Sequence, residues 1–126
     1  METTAKTILI VDDNDSIRKT IELTVKSLGY RTETAFEGRS AIKVLKKVHA
    51  DCVLMDLDMP GMDGYATTDF IRKELHLSAT HLPIIAITAL TDVNLPEVCE
   101  DLEINAWALK PVNSAQMRKL LCGVGL

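Results

Sequence analysis

The segment at residues 53–64, VLMDLDMPGMDG, constrains the fold of this chain more than any other feature. The apolar run at residues 52–55 is typical of a strand buried on both faces. It ends in the carboxylate of Asp56, and the Asp, Pro and Gly residues that follow indicate a loop. An isolated Asp-x-Asp would be an ordinary polar turn, but Asp12-Asp13 follows a second apolar run in the same way. Two such strand ends indicate the ligand-binding edge of an open α/β sheet.

Composition limits the classes of protein that this chain can represent. With 126 residues, 47% of them apolar and 25% charged, it has the size and character of one globular domain, and we expect a single domain over residues 1–126 with a core at about 6–122. The net charge of -4, without a basic stripe, argues against direct binding of nucleic acid. No apolar run approaches the roughly 18 residues of a membrane span, and the first residues lack a signal-like apolar stretch. The three widely spaced cysteines suggest reduced thiols, so we expect a cytoplasmic protein without membrane contact.

Hydrophobic periodicity predicts five strands that alternate with five helices. The predicted strands are residues 6–11, 30–36 (an edge or half-exposed strand), 52–55, 83–88 and 106–109. The first predicted helix begins at a cap, Asp15 or Ser16, and ends at Gly29. The second covers residues 38–48, and the third covers 64–75 with Tyr65, Phe70 and Ile71 on its inner face. The fourth begins at Leu95, after a polar loop and a cap at Asn94, and the fifth covers 112–121. This alternation predicts right-handed βαβ units, a parallel sheet and helices on both faces.

Polar side chains follow several of the predicted strands: Asp12-Asp13, Asp56, Thr88 and Lys110. In a parallel sheet the carboxyl ends of the strands share one edge, so we expect these residues to converge. Two unit charges about 4 Å apart interact by about 4 kcal/mol at an effective dielectric constant near 20, so clustered carboxylates require a cation. The available ligands are oxygen atoms, which favours Mg²⁺ where a phosphate is also present. A carboxylate that attacks phosphorus gives an aspartyl phosphate, and lysine and threonine suit phosphoryl oxygens.

Four motifs carry a resemblance to a known family. They are ILIVDDND (8–15), VLMDLDMPGMDG (53–64), LPIIAITAL (82–90) and WALKP (107–111). With these motifs the chain resembles the receiver domain of two-component response regulators, of the chemotaxis-regulator type, over essentially its whole length. The resemblance implies a flavodoxin-like, doubly wound (βα)5 fold with a five-stranded parallel sheet in the order 2-1-3-4-5.

The resemblance also implies a role for each acidic residue. Asp56 matches the phosphoacceptor. Asp13, with Asp12 partly through water, matches the Mg²⁺ ligands, and Asp56 itself and the backbone carbonyl of Asp58 complete the set. Asp58 adds a carboxylate at a variable position of the family, and we expect it to alter the lifetime of the phosphoryl group.

The remaining matches lie on the last two strands. Thr88 matches the hydroxyl that moves onto the phosphoryl group, and Lys110 the lysine that contacts it. The Lys110-Pro111 peptide bond matches one that is cis in such domains. Trp107 matches the aromatic switch position, although it is bulkier than the usual Tyr or Phe. Glu103 departs from a common glycine and leaves the shape of the loop before the last strand open.

The function that this resemblance implies is signalling rather than turnover of a substrate. A histidine kinase or histidine phosphotransfer protein would donate the phosphoryl group, and the domain would catalyse only its own phosphorylation and dephosphorylation. Phosphorylation would then switch a protein-binding face made of the fourth helix, fifth strand and fifth helix. The sequence leaves open whether the domain stands alone or belongs to a larger protein such as a hybrid kinase.

Two other functions compete with this interpretation. Asp56-Leu57-Asp58 also resembles the Asp-x-Asp of haloacid-dehalogenase-type phosphatases, in which the first Asp is the nucleophile and the second a general acid/base. That family has the motif on its first strand and its other acidic pair late, whereas the order here is reversed and the length leaves no room for a cap domain. A pseudo-receiver that only binds is the third possibility, and the complete acidic set with Thr88 and Lys110 argues against it.

Overall fold

A computed structural model describes residues 5–59, 61–89 and 94–126. Strands and helices alternate in the order β1 (Thr7–Val11), α1 (Asp15–Ser27), β2 (Arg31–Ala35), α2 (Gly38–Lys47), β3 (Cys52–Met55), α3 (Gly64–Lys73), β4 (Ile84–Thr88), α4 (Leu95–Asp101), β5 (Ala106–Leu109) and α5 (Ser114–Gly123). The strands form one parallel sheet in the order β2-β1-β3-β4-β5, which confirms the predicted fold class and strand order.

The two faces of the sheet are covered by different helices. Alternate residues of each central strand point to opposite faces, as the pleat requires. On one face, side chains such as Leu9, Val53 and Ile84 pack with α2, α3 and α4 in one apolar cluster. On the other face, Ile8 and Leu54 belong to a second cluster with α1 and α5. A strand buried on both faces must be apolar throughout, which is why β3 and β4 are continuous apolar runs.

The register of the sheet aligns the strand ends that carry the acidic residues. Val11 of β1 pairs with Met55 of β3, so Asp12 and Asp56 are the next residues of adjacent strands. The Asp56 N–H donates to the Val11 carbonyl at 3.0 Å and fixes that alignment. At the far side, Thr88 pairs with Leu109, and Lys110 follows directly. The fold therefore brings these residues to one edge.

Two predicted helix starts are wrong, and one predicted inner face is correct only in part. Asn14, not Asp15 or Ser16, caps α1, because its side chain accepts the N–H of Ile17 at 2.9 Å. α5 begins at residue 114 rather than 112, because Asn113 and Gln116 cap each other reciprocally. In α3 the inward positions are Gly64, Thr67, Thr68 and Ile71, with Tyr65 partly buried against the core, whereas Phe70 is only half-buried. The polar loop expected before α4 includes residues 90–93, which lie outside the described residues.

The loop before β5 accommodates Glu103 in a left-handed conformation, with φ of 56°. Glycine adopts this conformation most easily, which explains why glycine is common at this position of the family, where this chain has Glu103. The side chain of Arg72 holds the loop in place, because its guanidinium donates to the Glu103 carbonyl at 2.7 and 3.2 Å and to the Leu77 and Leu82 carbonyls at 2.8 Å each. The departure from glycine therefore leaves the approach to β5 intact.

Adjacent threonines on α3 provide a matched test of buried hydroxyl groups. Both side chains are fully buried, but the Thr67 hydroxyl donates to the Asp63 carbonyl at 2.6 Å, whereas the Thr68 hydroxyl has no hydrogen-bond partner within the described residues. We expect Thr67→Val to lower the free energy of unfolding by about 1 kcal/mol and Thr68→Val to leave it unchanged or raise it by about 1 kcal/mol. Urea unfolding of both variants measures the difference, and an equal loss in both would contradict this account.

Candidate functional site

The site lies at the carboxyl edge of the sheet, where one ammonium group joins two carboxylates. Lys110 Nζ lies 2.7 Å from Asp12 Oδ2 and 3.0 Å from Asp56 Oδ2. The two aspartates are 1% and 4% exposed, so both charges are almost withdrawn from water. Buried carboxylates require such a partner because their desolvation is costly. The structure thus brings together three side chains from the ends of β1, β3 and β5.

A third carboxylate completes an acidic cluster. One carboxylate oxygen of each of Asp12, Asp13 and Asp56 lies within 4.8 Å of the others, and Asp13 is exposed to solvent. Three negative charges face the single positive charge of Lys110 in this cluster. The set offers hard oxygen ligands and an accessible side, which fits a divalent cation such as Mg²⁺. Asp58 is exposed, and its N–H donates to Asp56 Oδ1 at 3.1 Å.

The pKa values of Asp56 and Lys110 reflect this crowding. Burial raises the pKa of Asp56 above its ordinary value of 3.8, although the Asp58 N–H and Lys110 act in the opposite direction. Burial also acts against the charge on Lys110, but the hydrogen bonds to Asp12 and Asp56 outweigh it and raise the pKa of Lys110. The lysine is therefore firmly charged, while the carboxylate of Asp56 is held in an unfavourable environment that an added cation would relieve.

The backbone of Asp56 is positioned by close packing against Gly64. A Cβ atom at Gly64 would overlap the carbonyl oxygen of Asp56 and would lie 2.6 Å from Leu57 Cα. The Gly64 N–H donates to the Leu57 carbonyl at 3.3 Å. The sequence predicted Gly64 as the end of a loop and the start of a helix, but not its packing on Asp56, because this contact depends on how α3 lies against the end of β3.

The remaining predicted residues lie on β4 and β5 and at the end of β5. Thr88 is fully buried at the last position of β4, on the strand next to β3. Trp107 pairs with Ala86, lies on the face that α4 covers and is 39% exposed; Leu109 is exposed on the same face. The peptide bond between Lys110 and Pro111 is cis.

An apolar groove of about 400 Å³ lies beside Lys110, between α1 and the segment that joins β5 to α5. Its lining comes from α1, from the end of β4 with the residue after it, and from the segment between β5 and α5: Ser16, Ile17, Thr20, Ile21, Ile87, Ala89, Lys110, Pro111 and Val112. The groove was not apparent from the sequence, since its walls come from three separate segments of the chain.

Comparison with known proteins identifies the family. Residues 8–122 match the family described as the response regulator receiver domain, which covers most of the chain. The chain therefore belongs to the response regulator receiver domains, the regulatory phosphoacceptor domains of two-component signalling. This family membership, with the observed strand order, favours the signalling interpretation over the dehalogenase-type phosphatase.

Relatives and solved structures agree with this family. The chain is 35% identical over 125 residues to a probable transcriptional regulator, ycf27, of Cyanophora paradoxa, with 96% of the chain and 50% of the relative covered. The chain thus spans about half the length of this curated relative. The structure of the Vibrio cholerae chemotaxis protein CheY4 superimposes with a TM-score of 0.87 at 29% identity, over 96% of this chain and 99% of that one. The receiver domain of a sensor histidine kinase from Pseudomonas aeruginosa PAO1, which has magnesium coordinated in its active-site cleft, superimposes with a TM-score of 0.82 at 31% identity. This match covers 98% of this chain and 100% of that one.

Length and hydropathy determine whether the helices could cross a membrane. Across the described ranges, none of them is both long enough and apolar enough to cross a bilayer.

Proposed function

We propose that Asp56 is the phosphoacceptor of this domain. The observation that carries this proposal is the contact of a single ammonium, Lys110, with both Asp12 and Asp56 at the edge of the sheet. In the transfer, an Asp56 carboxylate oxygen forms a bond to phosphorus while the phosphorus–nitrogen bond of a phosphohistidine breaks, and the imidazole nitrogen keeps the electron pair. Lys110 is placed to offset the charge on the phosphoryl oxygens, which is the main task of a protein in phosphoryl transfer.

The acidic cluster is proposed to hold Mg²⁺ for this reaction. The ligands would be the carboxylates of Asp12, Asp13 and Asp56 and the backbone carbonyl of Asp58. When bound, the ion supplies positive charge that neutralises the phosphoryl oxygens and the cluster itself. The chemistry of the donor set supports this assignment, as does the magnesium ion in the Pseudomonas receiver domain. The exposed side chain of Asp58 is proposed to tune the lifetime of the phosphoryl group rather than to permit its transfer.

The partners are proposed from the surfaces around the site. A histidine kinase or histidine phosphotransfer protein must bring its phosphohistidine to this edge of the sheet, and the apolar groove beside Lys110 offers surface that such a donor can bury. Output is proposed to use the face of α4, β5 and α5, where Trp107 and Leu109 are exposed. Direct contact with nucleic acid is not part of the proposal, because the net charge is -4.

The cellular setting and the domain organisation complete the proposal. We propose that the protein acts in the cytoplasm, which fits its three free thiols, Cys52 and Cys99 buried and Cys122 exposed. Burial raises the pKa of Cys52 to about 12 and so keeps that thiol unreactive. Residues 1–126 are proposed to form one receiver domain whose activity is limited to its own phosphorylation and dephosphorylation.

A requirement for Mg²⁺ tests the metal assignment. We expect phosphorylation by acetyl phosphate to need Mg²⁺ and to cease when a chelator is in excess. Asp13→Ala should weaken Mg²⁺ binding at least about tenfold, because it removes a charged ligand on the accessible side of the cluster. Calorimetric titration with Mg²⁺ and intact mass measure the two effects. Equal phosphorylation in excess chelator would contradict the proposal.

Trp107 is proposed to report the phosphorylated state. Movement of Thr88 toward a phosphoryl group on Asp56 would open space beside the end of β4, into which the half-exposed indole can turn. Full burial of a large side chain contributes about 1.5–3 kcal/mol, which is enough to couple two sites. Since Trp107 is the only tryptophan, its emission should change with beryllofluoride plus Mg²⁺ beyond the change with Mg²⁺ alone. Asp56→Asn should show no such change in emission. If beryllofluoride binds and the emission of the unmodified protein stays the same, Trp107 serves only in packing and not as a switch.

A further inference from the structure

Arg18 reaches from α1 back to the turn that carries the first two acidic residues. Its Nη1 donates to the main-chain carbonyl of Asp12 at 2.8 Å, and its Nη2 contacts Asp15 Oδ1 at 2.5 Å. The Arg18 side chain is 19% exposed, whereas Asp15 is 88% exposed. Because exposed ion pairs contribute little, the contact with the Asp12 carbonyl is the more important of the two.

Every polar group of Asp12 is held by a different partner. Its N–H donates to the Ala35 carbonyl at 3.2 Å, and its carboxylate accepts the Asn14 N–H at 2.9 Å and pairs with Lys110. The carbonyl held by Arg18 belongs to the peptide unit that joins Asp12 to Asp13. The orientation of this peptide plane determines where the next Cα, and so the exposed Asp13 side chain, is placed.

We propose that Arg18 is a positioning residue for the metal site, acting through the Asp12–Asp13 peptide. The inference rests on the proposed function, since Asp13 and Asp12 are ligands only if the cluster holds Mg²⁺. Charge alone predicts the opposite effect: a guanidinium near the cluster repels a divalent cation, so its removal would strengthen binding. If Arg18 instead positions Asp13, removal of its side chain weakens Mg²⁺ binding. The direction of the change in Mg²⁺ affinity therefore distinguishes the two effects.

Calorimetric titration with Mg²⁺ tests this, at a temperature where circular dichroism finds every variant folded. We expect Arg18→Met to weaken Mg²⁺ binding about tenfold, the loss typical when a partner that orients a ligand is removed. Arg18→Lys keeps the charge, but its side chain is one atom shorter and does not place a donor where Arg18 Nη1 meets the Asp12 carbonyl, so it should also bind Mg²⁺ more weakly. This variant provides the test if Arg18→Met does not fold. Lys19→Met removes the same charge from an exposed neighbour on the same helix and should change the affinity by less than about twofold, because exposed charges are screened.

The outcomes separate this inference from the function on which it rests. Weaker binding in the Arg18 variants, with normal binding in Lys19→Met, supports the positioning role. Equal or tighter binding in Arg18→Met would overturn it while leaving the metal site in place. If the unmodified protein itself does not bind Mg²⁺, the proposed metal site is wrong, whatever the variants do.

Discussion

Gly64→Ala is expected to slow phosphorylation by acetyl phosphate about a hundredfold. The added Cβ would overlap the carbonyl of Asp56 and press on Leu57 Cα, and both neighbours are backbone atoms that cannot turn aside. The end of β3 must therefore move, and a displacement of about 1 Å at a reacting group is enough for a hundredfold loss. Overpacking should also lower the free energy of unfolding by about 1–3 kcal/mol.

The control for this variant is Gly123→Ala, near the end of α5. Among the described residues, no atom outside its own helix and its chain neighbours lies within 4 Å of a Cβ placed at Gly123, so the substitution adds the same methyl group without a clash. It should leave both the phosphorylation rate and the stability close to those of the unmodified protein. The rates are measured by intact mass over time. A rate for Gly64→Ala within about threefold of the unmodified protein would show that the close packing does not position Asp56.

Lys110→Met is expected to lower the free energy of unfolding at pH 7 by about 3 kcal/mol, because it leaves two buried carboxylates without their cation. Adding Asp56→Asn to this variant should restore much of the loss, since only one buried charge then remains. Phosphorylation of Lys110→Met should be severely reduced, because no fixed positive charge then meets the phosphoryl oxygens.

The pH dependence of this loss provides a second readout. The pKa of Asp56 is already raised, and removal of Lys110 raises it further, so the folded state binds the proton more tightly than the unfolded state. The free energy of unfolding of the variant then falls as the pH rises from about 3.8, the ordinary pKa of the aspartate in the unfolded chain, through the higher pKa of Asp56 in the folded state. The deficit of Lys110→Met should therefore shrink toward pH 4. A deficit that is constant with pH in urea unfolding would mean that the charge pairing is not its cause.

The parts of the structure that the sequence predicted are those controlled by local pattern. β3 and β4 are apolar throughout, and the sequence predicted both, because only a strand covered by helices on two faces has that composition. The convergence of Asp12, Asp56 and Lys110 followed from the rule that parallel strands share an edge, whereas the strand order came from the family resemblance.

What the sequence missed depends on contacts between distant segments or on choices between similar residues. Asn14, Asp15 and Ser16 are all good helix caps, and the fold selects Asn14 because its side chain meets the Ile17 N–H. Neither the packing of Gly64 on Asp56 nor the reach of Arg18 to the Asp12 carbonyl leaves a periodic signal. Such contacts become visible only when the backbone path is known.

The central claim, that Asp56 accepts a phosphoryl group, is tested most directly by intact mass after incubation with acetyl phosphate and Mg²⁺. We expect one added phosphoryl group that hydroxylamine removes, as is typical of an acyl phosphate, and no addition to Asp56→Asn under the same conditions. A phosphoryl group that persists in Asp56→Asn, or that survives hydroxylamine, would contradict the assignment and place the acceptor elsewhere in the chain.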